Sequence, residues 1–180
     1  METLDDLPYL EWVIKETMRL HGPVPMSART AEKDDVIPLS EPFVDKNGEV
    51  RDHIKIAKGD EIRIPIAVIN TWKVIWGENA LEYRPERWES PPEGLKNSPG
   101  IWNHMLNFLG GTRACIGYRF SLVEMKALLF ALVRSFEFTT SLTAEDFIIK
   151  QPAVVARPML KSDLRKGVQM PLILKPFKSD

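Results

Sequence analysis

A chain of 180 residues with 44% hydrophobic content has material for one core, and its length suits one domain. Lys and Arg number 24 and Asp and Glu 25, mixed along the chain; the net charge of −1 excludes the basic stripe of a nucleic-acid binder. A single cysteine excludes an internal disulfide, a four-cysteine zinc site and any cluster held by several thiolates. The first ten residues are acidic and lack a signal-peptide core. No apolar run approaches the roughly 20 residues that cross a bilayer, so the chain as it stands reads as soluble and cytoplasmic.

Residues 6–20 are expected to form a helix. Asp5 or Asp6 can cap it, Pro8 suits its first turn, and Leu7, Leu10 and Ile14 recur at helical spacing before Gly22, Pro23 and Pro25 stop it. Ile54 and Ile56 alternate with polar or small neighbours, a turn follows at Lys58-Gly59-Asp60, and Ile62, Ile64 and Ile66 alternate again. That pattern predicts a hairpin whose second strand Pro65 pushes towards a sheet edge. Residues 72–100 read as a long irregular loop, rich in Pro and Gly yet aromatic enough that it should pack against something. The strongest helix signal covers 118–136, apolar around most of its circumference and therefore expected to be buried. In the tail, 147–149, 154–156 and 172–174 read as short strands.

Cys115 stands in Phe108-Leu-Gly-Gly-Thr-Arg-Ala-Cys-Ile-Gly117, directly before that helix. Peptide N–H groups at a helix N-terminus favour an anion and lower a thiol's pKa. Gly110, Gly111 and Gly117 allow close backbone approach or positive φ, and Arg113 adds a fixed positive charge. Three roles stay open on these grounds: an inert thiol, a nucleophile, or a single thiolate ligand. A nucleophile would want a histidine base, and His21, His53 and His104 sit in no partner motif.

The loop resembles the haem-ligand signature of the cytochrome P-450 family, with Phe108, Gly111, Arg113, Cys115 and Gly117 at its defined positions. Two further motifs of the family follow its order. Glu16-Thr-Met-Arg19 is similar to its Glu-x-x-Arg helix, and Pro85-Glu-Arg87-Trp88 to its Pro-Glu-Arg-Phe/Trp element. The resemblance runs from about residue 7 to the C-terminus, and the wording of the cysteine loop is closest to fungal members.

The resemblance implies an α+β, mainly helical fold. Residues 1–180 would be the C-terminal haem-binding part of a single domain: the Glu-x-x-Arg helix, small β-sheets, the aromatic loop, the cysteine loop and the helix after it. It implies Cys115 as axial ligand to the iron of haem b (iron protoporphyrin IX), with Phe108, Gly111, Arg113, Gly117 and Arg29 binding the cofactor. Arg29 and Arg113 would pair with haem propionates. Glu16, Arg19 and Arg87 would form a buried structural network, and Val24, Pro25 and Met26 would line a substrate pocket. The implied reaction inserts one oxygen atom from O₂ into a small hydrophobic organic substrate, with electrons from an NADPH-dependent reductase. Full-length relatives are expected at the endoplasmic reticulum membrane.

The family's distal helix, with its acid/alcohol pair, has no counterpart in this sequence, so no catalytic residue is assigned on this chain. The expectation is of a truncated monooxygenase that binds haem weakly and does not turn over alone. The alternative is an inactive, non-enzymatic remnant. Lesser readings are a haem-thiolate isomerase or peroxygenase of the same fold, and a cysteine hydrolase that needs His104 near Cys115.

Overall fold

A computed structural model describes residues 4–142, 148–151 and 154–177. These residues divide into two compact units: one takes in the chain up to Pro25 and from Ile66 onward, the other Met26–Pro65.

The first unit opens with helix α1, Pro8–His21. Pro8 occupies its first turn, where a missing N–H costs nothing. The N-cap position is Leu7, without a side-chain cap bond, and not the Asp5 or Asp6 expected, Asp6 belonging to a preceding 3-10 turn. Gly22 leaves the helix in an extended conformation and ends it.

The stretch 72–100 is more ordered than its proline content suggests. It holds helix α3, Lys73–Trp76, which follows the short helix α2, Ile66–Ile69, and 3-10 turns at Pro85–Trp88 and Glu93–Asn97. Its tryptophans explain the order. Trp76 and Trp88 meet edge to face at 5.3 Å between ring centres, and both are buried with Ile14, Met18, Ala80, Leu95, Trp102, Met105 and Phe108 in one core. Trp72 and Tyr83 stay exposed.

Helix α4 spans Tyr118–Ser135. It packs Leu122, Met125 and Leu129 against the core, and Lys126 reaches Glu11 of α1 at 2.7 Å. The expected full burial does not occur: none of its described residues is fully buried, and Phe120, Val123, Leu128, Leu132 and Val133 face outward. Apolar content around a helix reports what it could bury; only a facing surface decides what it does bury.

Strand β5, Phe136–Thr140, follows without a break and pairs antiparallel with β8, Leu172–Pro176. Strands β6, Ile148–Gln151, and β7, Arg157–Leu160, form a second antiparallel pair. The run expected at 154–156 is a bend leading into β7, and Phe147 of the other expected run lies outside the described residues.

The second unit holds β1, Ser27–Thr30, β2, Asp35–Val44, β3, Val50–Ile56, and β4, Glu61–Ile64. The alternating runs are both strands, but they are not partners. β1 pairs with β4 and β2 with β3, each antiparallel. Gly59, at φ +95°, makes the turn, yet its N–H donates to Ala31 O (2.8 Å), and Ala31 N–H donates to Asp60 O (2.9 Å). The backbone thus pairs across the intervening hairpin. Pro38 and Phe43 flank a register shift in β2, where two prolines interrupt the ladder. Ile66 starts α2 and extends no strand.

Candidate functional site

Two constellations of the first unit gather most of the sequence candidates. The first is built on α1. Glu16 and Arg19, three residues apart, share its buried face, and both side chains are 0% exposed. Arg19 grips Glu16 through Nε to Oε2 (2.8 Å) and Nη2 to Oε1 (2.9 Å). The 3-10 turn at Pro85–Trp88 brings the remaining donors. Arg87 Nε and the Arg84 amide both reach Oε1 at 2.9 Å, and Trp88 Nε1 reaches Oε2 at 3.1 Å.

One carboxylate thus faces two guanidiniums. The surplus positive charge is spread over carbonyls: Arg19 donates to Ala80 O (2.6 Å) and Glu82 O (3.2 Å), Arg87 to Asn79 O (3.0 Å) and Glu82 O (3.2 Å). Arg19 also lies over the Trp76 ring at 4.7 Å. Burial alone would raise the Glu16 carboxyl. The hydrogen bonds from Arg19, the Arg84 amide and Arg87, with the charge of Arg19, outweigh it and hold the group below its ordinary value. The sequence motifs point to the three charged members. They include Trp88 but give no sign that its indole and the Arg84 amide complete the carboxylate's coordination.

The second constellation is the cysteine loop. After the 3-10 turn at Leu106–Phe108, Leu109 takes φ +58° and Gly111 φ +66°. A further 3-10 turn, Gly111–Arg113, returns the chain so that Cys115 N–H donates to Phe108 O at 2.9 Å. The Phe108 side chain is buried, edge to face with Trp102 at 5.7 Å and 6.0 Å from Tyr118, so the loop is anchored at both ends. Cys115 is free and exposed, two residues ahead of Gly117, the N-cap of α4. Arg113 is exposed and makes no ion pair among the described residues.

The glycines act differently from one another. Gly111 supplies the positive φ. Gly110 lets two strands of chain approach, because a Cβ there would lie 2.1 Å from Pro99 O. Gly117 has φ −90° and open space around its Cβ direction, so neither its own conformation nor its protein neighbours demand glycine. Gly110→Ala is therefore expected to cost about 1–3 kcal/mol through overpacking, with Gly117→Ala near neutral; thermal unfolding of the two variants checks this.

Open space beside Gly111 and Gly117 and the protruding Ile116 and Phe120 leave room for a large flat apolar group next to an exposed thiol. Among the described residues, no three His, Cys, Asp or Glu side chains gather to hold a bare metal ion. This donor set fits a group that brings its own metal ligands and takes one sulfur from the protein.

The other sequence candidates are described each within its own unit. Val24 and Pro25 end the first stretch of the first unit, where Pro25 O accepts from Ala67 N–H at 3.0 Å. Met26 and Arg29 belong to the second unit. Arg29 lies in β1 opposite Ile62, and its Nη1 donates to Ser27 Oγ (2.8 Å) and Ala28 O (2.7 Å). A cavity of about 470 Å³ in the first unit is walled by Thr17, His21, Lys150, Arg157 and apolar neighbours, without Val24 or Pro25.

The family model described as cytochrome P-450 matches residues 1–164. Among curated proteins, cytochrome P-450 monooxygenase 205 of Postia placenta is 56% identical over 177 residues, 98% of this chain and 32% of that protein. Monooxygenase 128 of the same organism is 53% identical over 97% of this chain and 32% of its own length. Cytochrome P-450 monooxygenase claO of Ampulloclitocybe clavipes is 40% identical over 92% of this chain and 31% of its own length. The chain thus spans about a third of the length of the curated relatives it matches.

Proposed function

The chain belongs to the cytochrome P-450 family, and from that premise we propose that residues 1–180 are the C-terminal, thiolate-bearing part of a haem monooxygenase domain. The observation that carries the reading is Cys115: an exposed, lone thiol on an anchored loop before α4, beside open space and apolar side chains.

In this reading Cys115 Sγ would be the protein's ligand to the iron of iron protoporphyrin IX. Phe108 fixes the loop from below, Gly111 sets its turn, and Gly117 leaves room for the cofactor. Arg113 faces solvent, free to pair with a propionate. A thiolate-bound haem supplies O–O bond cleavage and the transfer of one oxygen atom to an organic substrate. The chain's own residues hold the sulfur in place on its anchored loop, just ahead of the N-terminus of α4. Glu16, Arg19 and Arg87 keep α1 and the tryptophan-rich stretch in register beneath the loop.

The reading extends to a small hydrophobic substrate, to an NADPH-dependent reductase as electron source and to an endoplasmic reticulum location for the longer relatives. Val24 and Pro25 are assigned to the substrate pocket, and Arg29 and Met26 keep the roles that the resemblance gives them. No helix among the described residues is long and apolar enough to cross a membrane.

The test is reconstitution. The chain is titrated with iron protoporphyrin IX, reduced and exposed to carbon monoxide. A thiolate-type Soret band is the expected result, and a spectrum of the imidazole or neutral-thiol type overturns the assignment of the ligand.

A further inference from the structure

Asn70 and Asn107 lie outside the family motifs, yet they form a continuous polar bridge between α1 and the cysteine loop. Asn107 Nδ2 donates to Met18 O at 2.7 Å, on the last turn of α1. Its Oδ1 accepts from Asn70 Nδ2 at 2.9 Å, and Asn70 Oδ1 accepts from the Leu106 amide at 3.0 Å. The orientation of both amides is fixed by the ends of this chain of bonds: a carbonyl can only accept and a peptide N–H can only donate. Asn70 is buried, and its own carbonyl faces Arg19 Nη1 at 3.5 Å.

Gly22 makes room for the bridge. A Cβ there would lie 2.3 Å from Asn107 Nδ2 and 2.8 Å from Met18 O, whereas its φ of −51° makes no demand for glycine. The bridge ends one residue before Phe108, whose carbonyl receives the Cys115 N–H.

We infer that Asn107, braced by Asn70, is a positioning residue: it ties the Leu106–Phe108 turn to α1 and so sets where the Cys115 sulfur stands. This rests on the reading of Cys115 as the axial ligand. Without the tie, the turn loses its side-chain bond to α1 and keeps the Asn70–Leu106 bond and the packing of Leu106 and Phe108, and the hydrogen bond that carries Cys115 opens more often. A sulfur on a looser loop would hold the iron less firmly.

The experiment compares Asn107→Ala, the isosteric Asn107→Asp, and Ile14→Val, a core variant of similar expected stability cost that removes no hydrogen bond of the loop or the bridge. Asn107→Asp keeps the side-chain volume and turns a charged acceptor towards Met18 O in place of the donor, so it breaks the tie without a cavity and carries the test if the alanine variant fails to fold. Two quantities are read on the whole chain: hydrogen exchange at the Cys115 amide without cofactor, and, with iron protoporphyrin IX and carbon monoxide, the pH at which the thiolate-type band gives way to the neutral-thiol type. The Asn107 variants are expected to lower protection of the Cys115 amide by about tenfold beyond any global change and to raise that pH; Ile14→Val moves neither selectively. Asn107 variants that behave like Ile14→Val in both readouts overturn the inference. If the amide loosens but no protein, wild type included, gives a thiolate-type band, the ligand reading has failed and takes the positioning role with it, a pattern distinct from the first.

Discussion

Replacing Glu16 by alanine is expected to cost the chain about 3–5 kcal/mol of stability, because it removes one partner of a buried charge cluster and leaves the others unpaired. Both Glu16 oxygens are saturated by Arg19, Arg87, the Arg84 amide and the Trp88 indole. Without the carboxylate, two guanidiniums keep only neutral carbonyls and the Trp76 ring. Glu16→Gln separates charge from volume: the amide fits the space, but its NH₂ turns a donor towards groups that are all donors, so a loss of similar order is expected. Chemical unfolding of the three proteins measures it.

The exposed pair Lys73–Glu78, at 2.6 Å with side chains 56% and 90% exposed, is the natural control, and Glu78→Gln should not move the midpoint measurably. Equal effects of Glu16→Gln and Glu78→Gln would show that burial of the cluster is not what makes it matter. The pH dependence carries the same signature. Glu16 has its folded-state pKa below the ordinary value, so the folded chain binds fewer protons than the unfolded chain in the window between the two. Its contribution is complete above the unfolded pKa of about 4.3 and is lost as pH falls through the lower folded value. Wild type should therefore lose stability on acidification more steeply than Glu16→Gln.

The parts of this molecule that could be read from sequence are those whose determinants lie close together in the chain. Glu16 and Arg19 are one helical turn apart, and the turn at Pro85–Trp88 places Arg87 and Trp88 together. The cysteine loop and the helix behind it are contiguous. Long-range partnership was legible only where the resemblance supplied it, as for Glu16 and Arg87, 71 residues apart; elsewhere it was not. β3 and β4 alternate on either side of a glycine turn, which is the local pattern of a hairpin, but their hydrogen bonds go to β2 and β1. Two prolines in β2 hide a ten-residue strand from any pattern of alternation. The apolar circumference of α4 does not say which of its faces meets a neighbour. Asn70 and Asn107 are 37 residues apart and carry no periodicity; only the folded backbone makes them neighbours.

Cys115→Ser is expected to abolish the thiolate-type band completely while leaving the fold intact. The thiol is exposed, so its replacement by a hydroxyl of similar size should change stability by less than about 0.5 kcal/mol. The functional loss is expected to be total for a different reason: a serine hydroxyl is not ionised near neutral pH, and the stretch Phe108–Gly117 holds no His, Asp, Glu or second Cys. Unfolding midpoint and spectrum thus separate, and a variant that loses both would place Cys115 in the fold and not in the site.

The nucleophile reading makes the opposite demand, a histidine within hydrogen-bond reach of the sulfur. His104 Nδ1 is engaged with Ser98 O at 3.2 Å, and His53 with Asp52 in the second unit. His21, at the end of α1, is held below its ordinary pKa by burial and by the charges of Lys150 and Arg19. His104→Ala should therefore leave the pH profile of Cys115 alkylation unchanged. A shifted profile would revive the thiol–imidazole pair, whereas an unchanged profile together with the loss of the band in Cys115→Ser leaves ligation as the role of the sulfur.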